Sequence, residues 1–443
     1  MAITQGLASR RGALRLLDAV LRRGETLEQA EKAALRELAI TADRGLARAM
    51  ASEVLRWLTD LDALIDSTTR ERLPDDAKAR MVLRLMLAQA LRLETPPHAV
   101  IATGLPLLAG GPRRLAHGVF SALMKRLSSP LPPAGGAGGG PEIHAHPNPS
   151  RKREGLLPSV PTLPENVTAR WGTDKAAAIA PGLAFPPSLD LALRDPAETA
   201  RWAAELGAVS LMPGHLRLAR GTPVEHLAGF DDGAWWVQDF AAQLPARLLG
   251  PGEAKGKEGK LALDLCAAPG GKTLQLAAAG WQVTSVDASK TRLARLRDNL
   301  ARTGLDAEVV RADALEWEPA GTFDAVLLDA PCTATGTCRR HPDVLHRIGA
   351  HQIGEMAELQ AALLARALGW LRPGGVLVYA VCSLEREEGE DQAAQVTLEP
   401  LPIQAEELPA GLHPSPEGWL RTHPGMLGEA GGMDGFFVAR WRR

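Results

Sequence analysis

The segment Leu-Asp-Leu-Cys-Ala-Ala-Pro-Gly-Gly-Lys-Thr (263–273) decides the fold of this 443-residue chain. It joins an apolar run at 261–265, which predicts a buried strand, to an amphipathic stretch at 272–279, which predicts a helix. Two adjacent glycines let the backbone approach a ligand, and the free amides at the start of the helix attract polar groups. At the carboxyl end of a strand in an α/β sheet, such a turn predicts a nucleotide-like cofactor.

Two familiar phosphate-binding motifs do not fit this turn. A P-loop requires glycine five positions before Gly271, where this chain has Cys266. The Gly-x-Gly-x-x-Gly pattern of dinucleotide-binding domains does not occur in the turn either. The sequence therefore disfavours an ATPase and a nicotinamide-dependent dehydrogenase.

Strand and helix patterns alternate from Lys260 onward. The predicted strands are 261–265, 283–286, 308–310, 323–328 and 376–381, and the predicted helices are 272–279, 290–303 and 356–370. Buried strands that alternate with helices form a parallel sheet covered on both faces. Residues 251–443 are therefore predicted to form a doubly wound, Rossmann-like α/β domain.

The rest of the chain divides by composition into three further parts. Residues 1–130 show helical periodicity with Pro and Gly breaks, which predicts an all-α domain of five to seven helices. Residues 131–164 are rich in Pro, Gly and Ser and predict a flexible linker. Residues 165–250 mix short apolar runs with a helix at 197–206 and predict a small α+β connector subdomain. The chain is thus predicted to be a multidomain protein.

The charges and cysteines of the chain indicate its type of partner and its cellular compartment. The chain carries 50 Lys and Arg against 52 Asp and Glu, so no overall positive field indicates a nucleic-acid partner. A basic excess lies in residues 1–130, with 20 basic against 14 acidic side chains, whereas residues 156–443 have 27 against 36. Four cysteines are too few for an extracellular disulfide framework, and the sequence shows no signal-peptide pattern and no long apolar run. We expect a cytoplasmic protein without a membrane segment.

Carboxylates and thiols follow the ends of the other predicted strands. Asp287 ends the second strand, where a carboxylate can accept both hydroxyls of a ribose; the alternative is an N-cap of the next helix. Asp329 and Cys332 follow the fourth strand, and Cys382 follows the fifth. A single free cysteine is more often a small buried apolar residue, but two at strand ends on the cofactor side favour chemistry.

Two other uses of these thiols fit the sequence poorly. The spacing of Cys332, Cys338 and His341 does not match the usual pairs of zinc ligands, so we expect no metal site. In a Cys-His protease the cofactor turn would serve no purpose.

Three strings in this order carry a resemblance to a known family. They are Leu-Asp-Leu-Cys-Ala-Ala-Pro-Gly-Gly-Lys-Thr (263–273), Leu-Leu-Asp-Ala-Pro-Cys (327–332) with Thr-Gly-Thr-Cys-Arg-Arg-His-Pro-Asp (335–343), and Val-Tyr-Ala-Val-Cys-Ser (378–383). They resemble the S-adenosylmethionine-dependent RNA 5-methylcytosine methyltransferases, in particular the bacterial RsmB (Sun) group that acts on 16S ribosomal RNA. Thr-Pro-Pro-His-Ala-Val (95–100) and His-Gly-Val-Phe (117–120) are similar to the NusB-like RNA-binding domain of this group, and Gly-Met-Asp-Gly-Phe-Phe-Val-Ala (432–439) to its last hairpin.

The resemblance implies S-adenosylmethionine as cofactor and methylation of cytosine C5 through a covalent bond to C6. It implies that Cys382 is the nucleophile and that Cys332 assists product release. Asp329 is implied to recognise the base. The residues implied to line the cofactor site are Cys266, Ala267, Ala268, Pro269, Gly270, Gly271, Lys272, Asp287, Asp313 and Asp329.

The implied partner is 16S ribosomal RNA, and we expect a monomer without a metal or membrane partner. Arg339, Arg340 and Arg347 are the predicted phosphate contacts beside the site. Further candidates lie in the N-terminal domain: Arg10, Arg11, Arg22, Arg23, Arg113, Arg114, Lys125 and Arg126.

Two other interpretations stay open at this point. One is a methyltransferase that acts on transfer RNA or another RNA. The other is a non-catalytic RNA-binding or antitermination factor that keeps the fold as a scaffold, which the presence of Asp329, Cys332 and Cys382 disfavours.

Overall fold

The computed structural model describes residues 2–128, 156–252 and 259–443. These residues form two compact units. One contains the described residues up to Ala184 together with His341–Arg347, and the other contains the described residues of Phe185–Arg340 and Ile348–Arg443. Within the described ranges, no helix combines the length and the apolar character needed to cross a membrane.

The described part of the first unit up to Ala184 is helical. Its helices are α1 (Ala2–Arg23), α2 (Leu27–Ala34), α3 (Thr41–Arg56), α4 (Leu58–Asp66), α5 (Lys78–Leu91), α6 (Pro97–Gly104), α7 (Gly110–Ser128), α8 (Glu165–Trp171) and α9 (Thr173–Leu183). Apolar residues three to four positions apart on α1, among them Leu16, Leu17 and Val20, form a buried stripe that packs with α3. The all-α prediction is confirmed, with α1–α7 inside residues 1–130.

Helices α8 and α9 belong to the helical unit, although the sequence placed residues 165–183 in the α+β connector. Arg56 Nη1 donates a hydrogen bond to Leu183 O at 3.0 Å, and Arg92 Nη2 donates one to Ala184 O at 2.7 Å. The second compact unit therefore begins at Phe185. An amphipathic pattern tells which face of a helix is buried but not which partner buries it.

The predicted linker at 131–164 lies outside the described residues as far as residue 155. Its last residues are described and are bound to the helical unit. The backbone amide and hydroxyl of Thr162 donate to the two carboxylate oxygens of Asp60 at 2.9 and 2.7 Å, and Leu163 is buried. This end of the segment is fixed by a charge-assisted pair of hydrogen bonds.

The second unit contains two sheets. In chain order, the remaining elements are β1 (Leu189–Leu193), α10 (Thr199–Leu206), β2 (His215–Leu218), β3 (Trp235–Val237), α11 (Leu244–Arg247), β4 (Leu261–Leu265), α12 (Gly271–Ala278), β5 (Gln282–Asp287), α13 (Lys290–Thr303), β6 (Glu308–Arg311), β7 (Phe323–Asp329), α14 (Val344–Arg347), α15 (Ala350–Trp370), β8 (Leu371–Val381), α16 (Glu390–Ala393), β9 (Glu399–Pro400), β10 (Leu420–Arg421) and β11 (Phe437–Arg442). Of these, α14 lies in the segment that belongs to the first unit.

The main sheet has eight strands in the order β10-β11-β8-β7-β4-β5-β6, with β9 paired to β11. Strands β6, β5, β4, β7 and β8 run parallel, and β11 pairs antiparallel with β8. The doubly wound α/β prediction is therefore confirmed. Parallel pairing brings the carboxyl ends of β4, β5, β7 and β8 to one edge of the sheet.

The small antiparallel sheet β2-β1-β3 packs on the main sheet's helices. Trp236 on β3 is buried in one apolar cluster with Leu293 and Leu296 of α13. Arg194, after β1, donates through Nη1 to Thr303 O at the end of α13 at 2.8 Å. The small sheet is thus held rigidly against the helix that follows β5.

Gly233 is expected to be essential for this packing. It has φ +62°, and a Cβ at this position would lie 2.1 Å from the backbone oxygen of Arg302. We predict that Gly233→Ala lowers the free energy of unfolding by about 1–3 kcal/mol more than Gly221→Ala. Gly221 is the matched control because its φ is +81° and nothing lies within 4 Å of its Cβ position. Urea unfolding of both variants measures the difference, and equal losses would contradict the prediction.

Candidate active site

Two cysteines meet at the carboxyl edge of the main sheet. Cys382 directly follows β8 and Cys332 follows β7 by three residues, and their Sγ atoms lie 3.4 Å apart. Both side chains are partly exposed. Gly336 N donates to Cys382 O at 3.0 Å, which holds the loop after β7 against the end of β8. Adjacent parallel strands thus bring together the two thiols that the sequence singled out.

The environment of Cys332 favours its neutral thiol. The hydrogen bond with Cys382, burial and the charge of Glu388 all raise the pKa of Cys332 well above its ordinary value. A neutral Cys332 thiol at 3.4 Å is placed to donate a hydrogen bond to a Cys382 thiolate. The pair therefore divides into one donor and one candidate nucleophile.

Lys272 and Asp329 form an ion pair at the same edge. Lys272 Nζ lies 2.7 Å from Asp329 Oδ2, and the lysine side chain is nearly buried. The ammonium group also lies 5.2 Å from the ring centroid of Phe436. The pair links the glycine turn after β4 to the end of β7. The structure thus places side by side two of the residues that the resemblance implied for the cofactor site.

The glycine turn is shaped by close packing and by backbone geometry. Gly270 has φ +107°, and a Cβ there would lie 2.2 Å from the side chain of Leu296. Cys266 adopts φ 59°, which is uncommon for a residue other than glycine. Burial, assisted by the nearby carboxylate of Asp287, raises the pKa of Cys266 to about 12. Cys266 is therefore a neutral part of the turn and does not compete with Cys382 as a nucleophile.

Asp287 is a buried carboxylate at the end of β5. Its Oδ2 accepts a hydrogen bond from Ala268 N at 3.2 Å, and its Oδ1 accepts one from Ser289 N at 2.8 Å. Arg292 Nη2 lies 3.1 Å from the same Oδ1. The N-cap of α13 is Ser289, so the alternative role of Asp287 as N-cap is wrong. Ribose binding by Asp287 stays a prediction.

Asp313 is exposed in the turn after β6. Its Oδ1 accepts a hydrogen bond from Leu315 N at 2.9 Å. The side chain thus shapes its own turn, and its role at a cofactor stays a prediction.

Asp264 lies in the quoted segment 263–273, but no separate role was predicted for it. It is fully buried at the carboxyl end of β4, where Thr273 Oγ1 donates to its Oδ2 at 2.6 Å. Its Oδ1 has no hydrogen-bond partner among the described residues. Burial, opposed by the Thr273 hydrogen bond, raises the pKa of Asp264 to about 7. A polar residue inside an otherwise apolar strand was the signal in the sequence.

Glu388 is a second residue that the sequence did not reveal. It belongs to the run Glu-Arg-Glu-Glu-Gly-Glu (385–390), whose composition is typical of a solvated loop. In the structure Glu388 is fully buried beneath the two thiols and accepts several hydrogen bonds. Its partners depend on the tertiary structure, so only the position of this run three residues after Cys382 could have drawn attention to it.

The predicted RNA contacts of the second unit differ in exposure. Arg339 is 2% exposed, donates through Nη1 to Gly431 O at 2.9 Å, and lies 3.9 Å from Asp239 Oδ2. Arg340 is exposed, and its Nε donates to Asp434 Oδ2 at 2.6 Å. Arg339 therefore holds the C-terminal segment instead of facing solvent, which corrects its prediction as a phosphate contact. Arg340 stays a predicted RNA contact.

The predicted RNA contacts of the helical unit also divide by exposure. Arg10 is buried and donates through Nε to Gln89 Oε1 at 2.9 Å, so burial removes it from the candidates. Arg347, on α14, is partly exposed and lies 3.1 Å from Asp343. The exposed candidates are Arg11, Arg22, Arg23, Arg113, Arg114, Lys125 and Arg126. Among the described residues, no group of three His, Cys, Asp or Glu side chains is arranged to hold a metal ion.

Comparisons with known proteins find relatives for both the N-terminal and the C-terminal parts of the chain. The family described as 16S rRNA methyltransferase RsmB/F matches residues 254–442, and the NusB family matches residues 7–107. The ribosomal RNA small subunit methyltransferase B of Xylella fastidiosa is 33% identical over 99% of this chain and 98% of its own length. The protein of the same description from Xanthomonas campestris is 32% identical over 98% and 97%. A methyltransferase homologue from Pyrococcus horikoshii superposes with a TM-score of 0.52 at 26% identity, over 62% of this chain and 94% of that one.

The contact between the two sulfurs can be tested without any substrate. Diamide is expected to oxidise Cys332 and Cys382 to a disulfide, because their Sγ atoms need to approach by little more than 1 Å. The measurement is the loss of two thiols and about 2 Da per chain, with the bond located by peptide mapping. The matched control is Cys382→Ser, which is expected to form no disulfide under the same conditions. A disulfide that instead involves Cys266 or Cys338 would contradict the geometry.

The raised pKa of Asp264 predicts a pH-dependent stability. The folded chain keeps a proton on Asp264 up to about pH 7, whereas the unfolded chain releases it near pH 4. Stability from this group is therefore present below about pH 4 and is lost as pH rises toward 7. Asp264→Asn is expected to reduce the fall in unfolding free energy between pH 5 and pH 8 by on the order of a few kcal/mol. Urea unfolding measures it, with the exposed Asp313→Asn as control; identical pH slopes in all three proteins would contradict the prediction.

Proposed function

Since the chain belongs to the RsmB family of 16S ribosomal RNA methyltransferases, which modify cytosine at C5, we propose that it works through a covalent bond between Cys382 and cytosine C6. The observation that carries this proposal is the 3.4 Å contact between Cys332 and Cys382 beside the Lys272–Asp329 pair. A reaction that must form and then break a bond to the base needs both a nucleophile and a second group that completes release. The two thiols are suited to these two tasks.

The residues of the glycine turn fit S-adenosylmethionine, the cofactor of this family. The amides at the start of α12 face this edge of the sheet, and the partnerless Oδ1 of Asp264 offers a buried acceptor. The carboxylates of Asp287 and Asp329 add charged acceptors at this edge, each already paired with a cationic side chain. When bound, the cofactor supplies an electrophilic methyl group.

Cys382 begins the proposed reaction as a thiolate. Its Sγ adds to C6 of the cytosine, which makes C5 electron-rich enough to accept a methyl group. The neutral thiol of Cys332 donates a hydrogen bond to the Cys382 thiolate before this addition. Asp329 is proposed to hydrogen-bond the N3/N4 edge of cytosine, where uracil presents the opposite donor and acceptor pattern.

Cys332 completes the proposed reaction. Once the Cys382 sulfur is bonded to carbon it is no longer charged, so the largest cause of the raised Cys332 pKa disappears. Cys332 then loses its proton to solvent and accepts the proton from C5. The electron pair of the C5–H bond forms the C5–C6 double bond and expels Cys382 as a thiolate. The balance is one methyl gained by the base and one proton released.

Substitution of the two cysteines is expected to block methylation at different steps. Cys382→Ala should lower methyl transfer to unmodified 16S ribosomal RNA by about 10⁴-fold or more and form no covalent complex. Cys332→Ala should also block turnover, but it should accumulate a protein–RNA complex that survives denaturing gel electrophoresis. Cys338→Ala, which removes a buried thiol from the same loop, is the control and should retain both turnover and normal release. Loss of activity without an adduct in both variants would contradict the assigned roles.

A further inference from the structure

A buried carboxylate lies behind the two cysteines. Glu388 is fully buried and follows Cys382 by six residues. Its Oε1 accepts hydrogen bonds from Thr333 N at 2.8 Å and from Gln360 Nε2 at 3.1 Å. Its Oε2 accepts hydrogen bonds from the hydroxyls of Thr333 and Ser383. One carboxylate thus receives four hydrogen bonds from three different parts of the chain.

The partners of this carboxylate flank the two sulfur atoms. Thr333 and Ser383 each directly follow one of the two cysteines. Gln360 Nε2, which also binds Glu388, donates to Pro331 O at 2.8 Å and so fixes the residue before Cys332. Glu388 therefore fixes the residues on both sides of Cys332, directly at Thr333 and through Gln360 at Pro331. It also fixes Ser383, the residue after Cys382.

The backbone of Glu388 is itself held in place by a hydrogen bond. Tyr379 OH, on β8, donates to the backbone oxygen of Glu388 at 2.5 Å. Buried hydrogen bonds to a charged acceptor are among the stronger ones in proteins, and removing the acceptor leaves its donors unsatisfied. The neighbouring Glu387 is exposed and takes no part in this network through its carboxylate in the described contacts.

We propose that Glu388 is a positioning residue that fixes the contact between the Cys332 and Cys382 sulfurs. It acts through the two loops and does not touch the reacting atoms. The meaning of the contact for catalysis rests on the proposed function, but the contact is a property of the free protein. The proposal can therefore be tested both without substrate and during turnover.

The charge of Glu388 and its geometry affect the thiols in opposite directions. That charge is one of the causes that raise the pKa of Cys332, after the hydrogen bond with Cys382 and burial. Glu388→Gln removes the charge, so an electrostatic role alone would increase the thiolate fraction and speed oxidation. Loss of the positioning network would move the sulfurs apart and slow it. The sign of the change separates the two roles.

The first measurement is the rate of Cys332–Cys382 disulfide formation with diamide, in the full chain without RNA or cofactor. We expect Glu388→Gln to slow it by about 10-fold or more, and the matched control Glu387→Gln to stay within about twofold of the unmodified chain. Gln360→Met, which keeps the volume of the side chain but removes the bond to Pro331 O, should slow it by several fold. Should Glu388→Gln fail to fold, Gln360→Met decides alone. An unchanged or faster rate in the deciding variant overturns the proposal.

The second measurement separates positioning from general stability. Glu388→Gln is expected to lower kcat for ribosomal RNA methylation by about 10²-fold while KM for RNA stays within about threefold, because the change affects alignment and not RNA binding. A lower Tm with unchanged kcat, or a change in KM alone, would overturn the proposal. If Cys332→Ala accumulates no covalent adduct with RNA, the proposed function fails, whereas the disulfide rates still decide the role of Glu388.

Discussion

The parallel pairing of β7 with β8 is the constraint on which the site depends. In the register of this pair, Asp329 lies opposite Ala380, so the two strands end almost together. The loops that follow them therefore begin side by side. A slip of one residue would turn the side chains of one strand to the opposite face of the sheet. The sulfur contact, the Lys272–Asp329 ion pair and the buried carboxylate behind them all follow from this one register.

The distribution of charge separates two tasks within the chain. At the edge of the sheet, Asp287 and Asp329 are each paired with a cationic side chain and Asp264 keeps a proton up to about pH 7, so the charges there are largely balanced. Exposed arginines and lysines instead lie on the helical unit, in the part of the sequence that has a basic excess. Binding of an RNA backbone and chemistry on one of its bases are therefore expected to depend on different parts of the chain.

Much of the fold and of the site could be predicted from local sequence. The strand 261–265 and the helix 290–303 were predicted with the bounds that the structure has, because alternation and periodicity are local signals. Carboxyl ends of parallel strands meet at one edge, so Asp329, Cys332 and Cys382 could be expected together.

What could not be predicted depends on distant partners. The bonds of Glu388 to Thr333 span 55 positions, and the contacts that bury Arg339 reach the C-terminal segment. Helices α8 and α9 were placed with the wrong neighbours for the same reason, since composition does not reveal which surface covers a helix.

The insertion of β11 beside β8 has a consequence for the loop that carries Cys332. Gly435, just before β11, donates its amide to Gly336 O at 2.8 Å, and Gly336 in turn binds the carbonyl of Cys382. The loop that carries Cys332 is therefore held on one side by the end of β8 and on the other by the segment that leads into β11. Changes in β11 are therefore expected to reach the cysteine loop through the backbone, without any side chain that touches a sulfur atom.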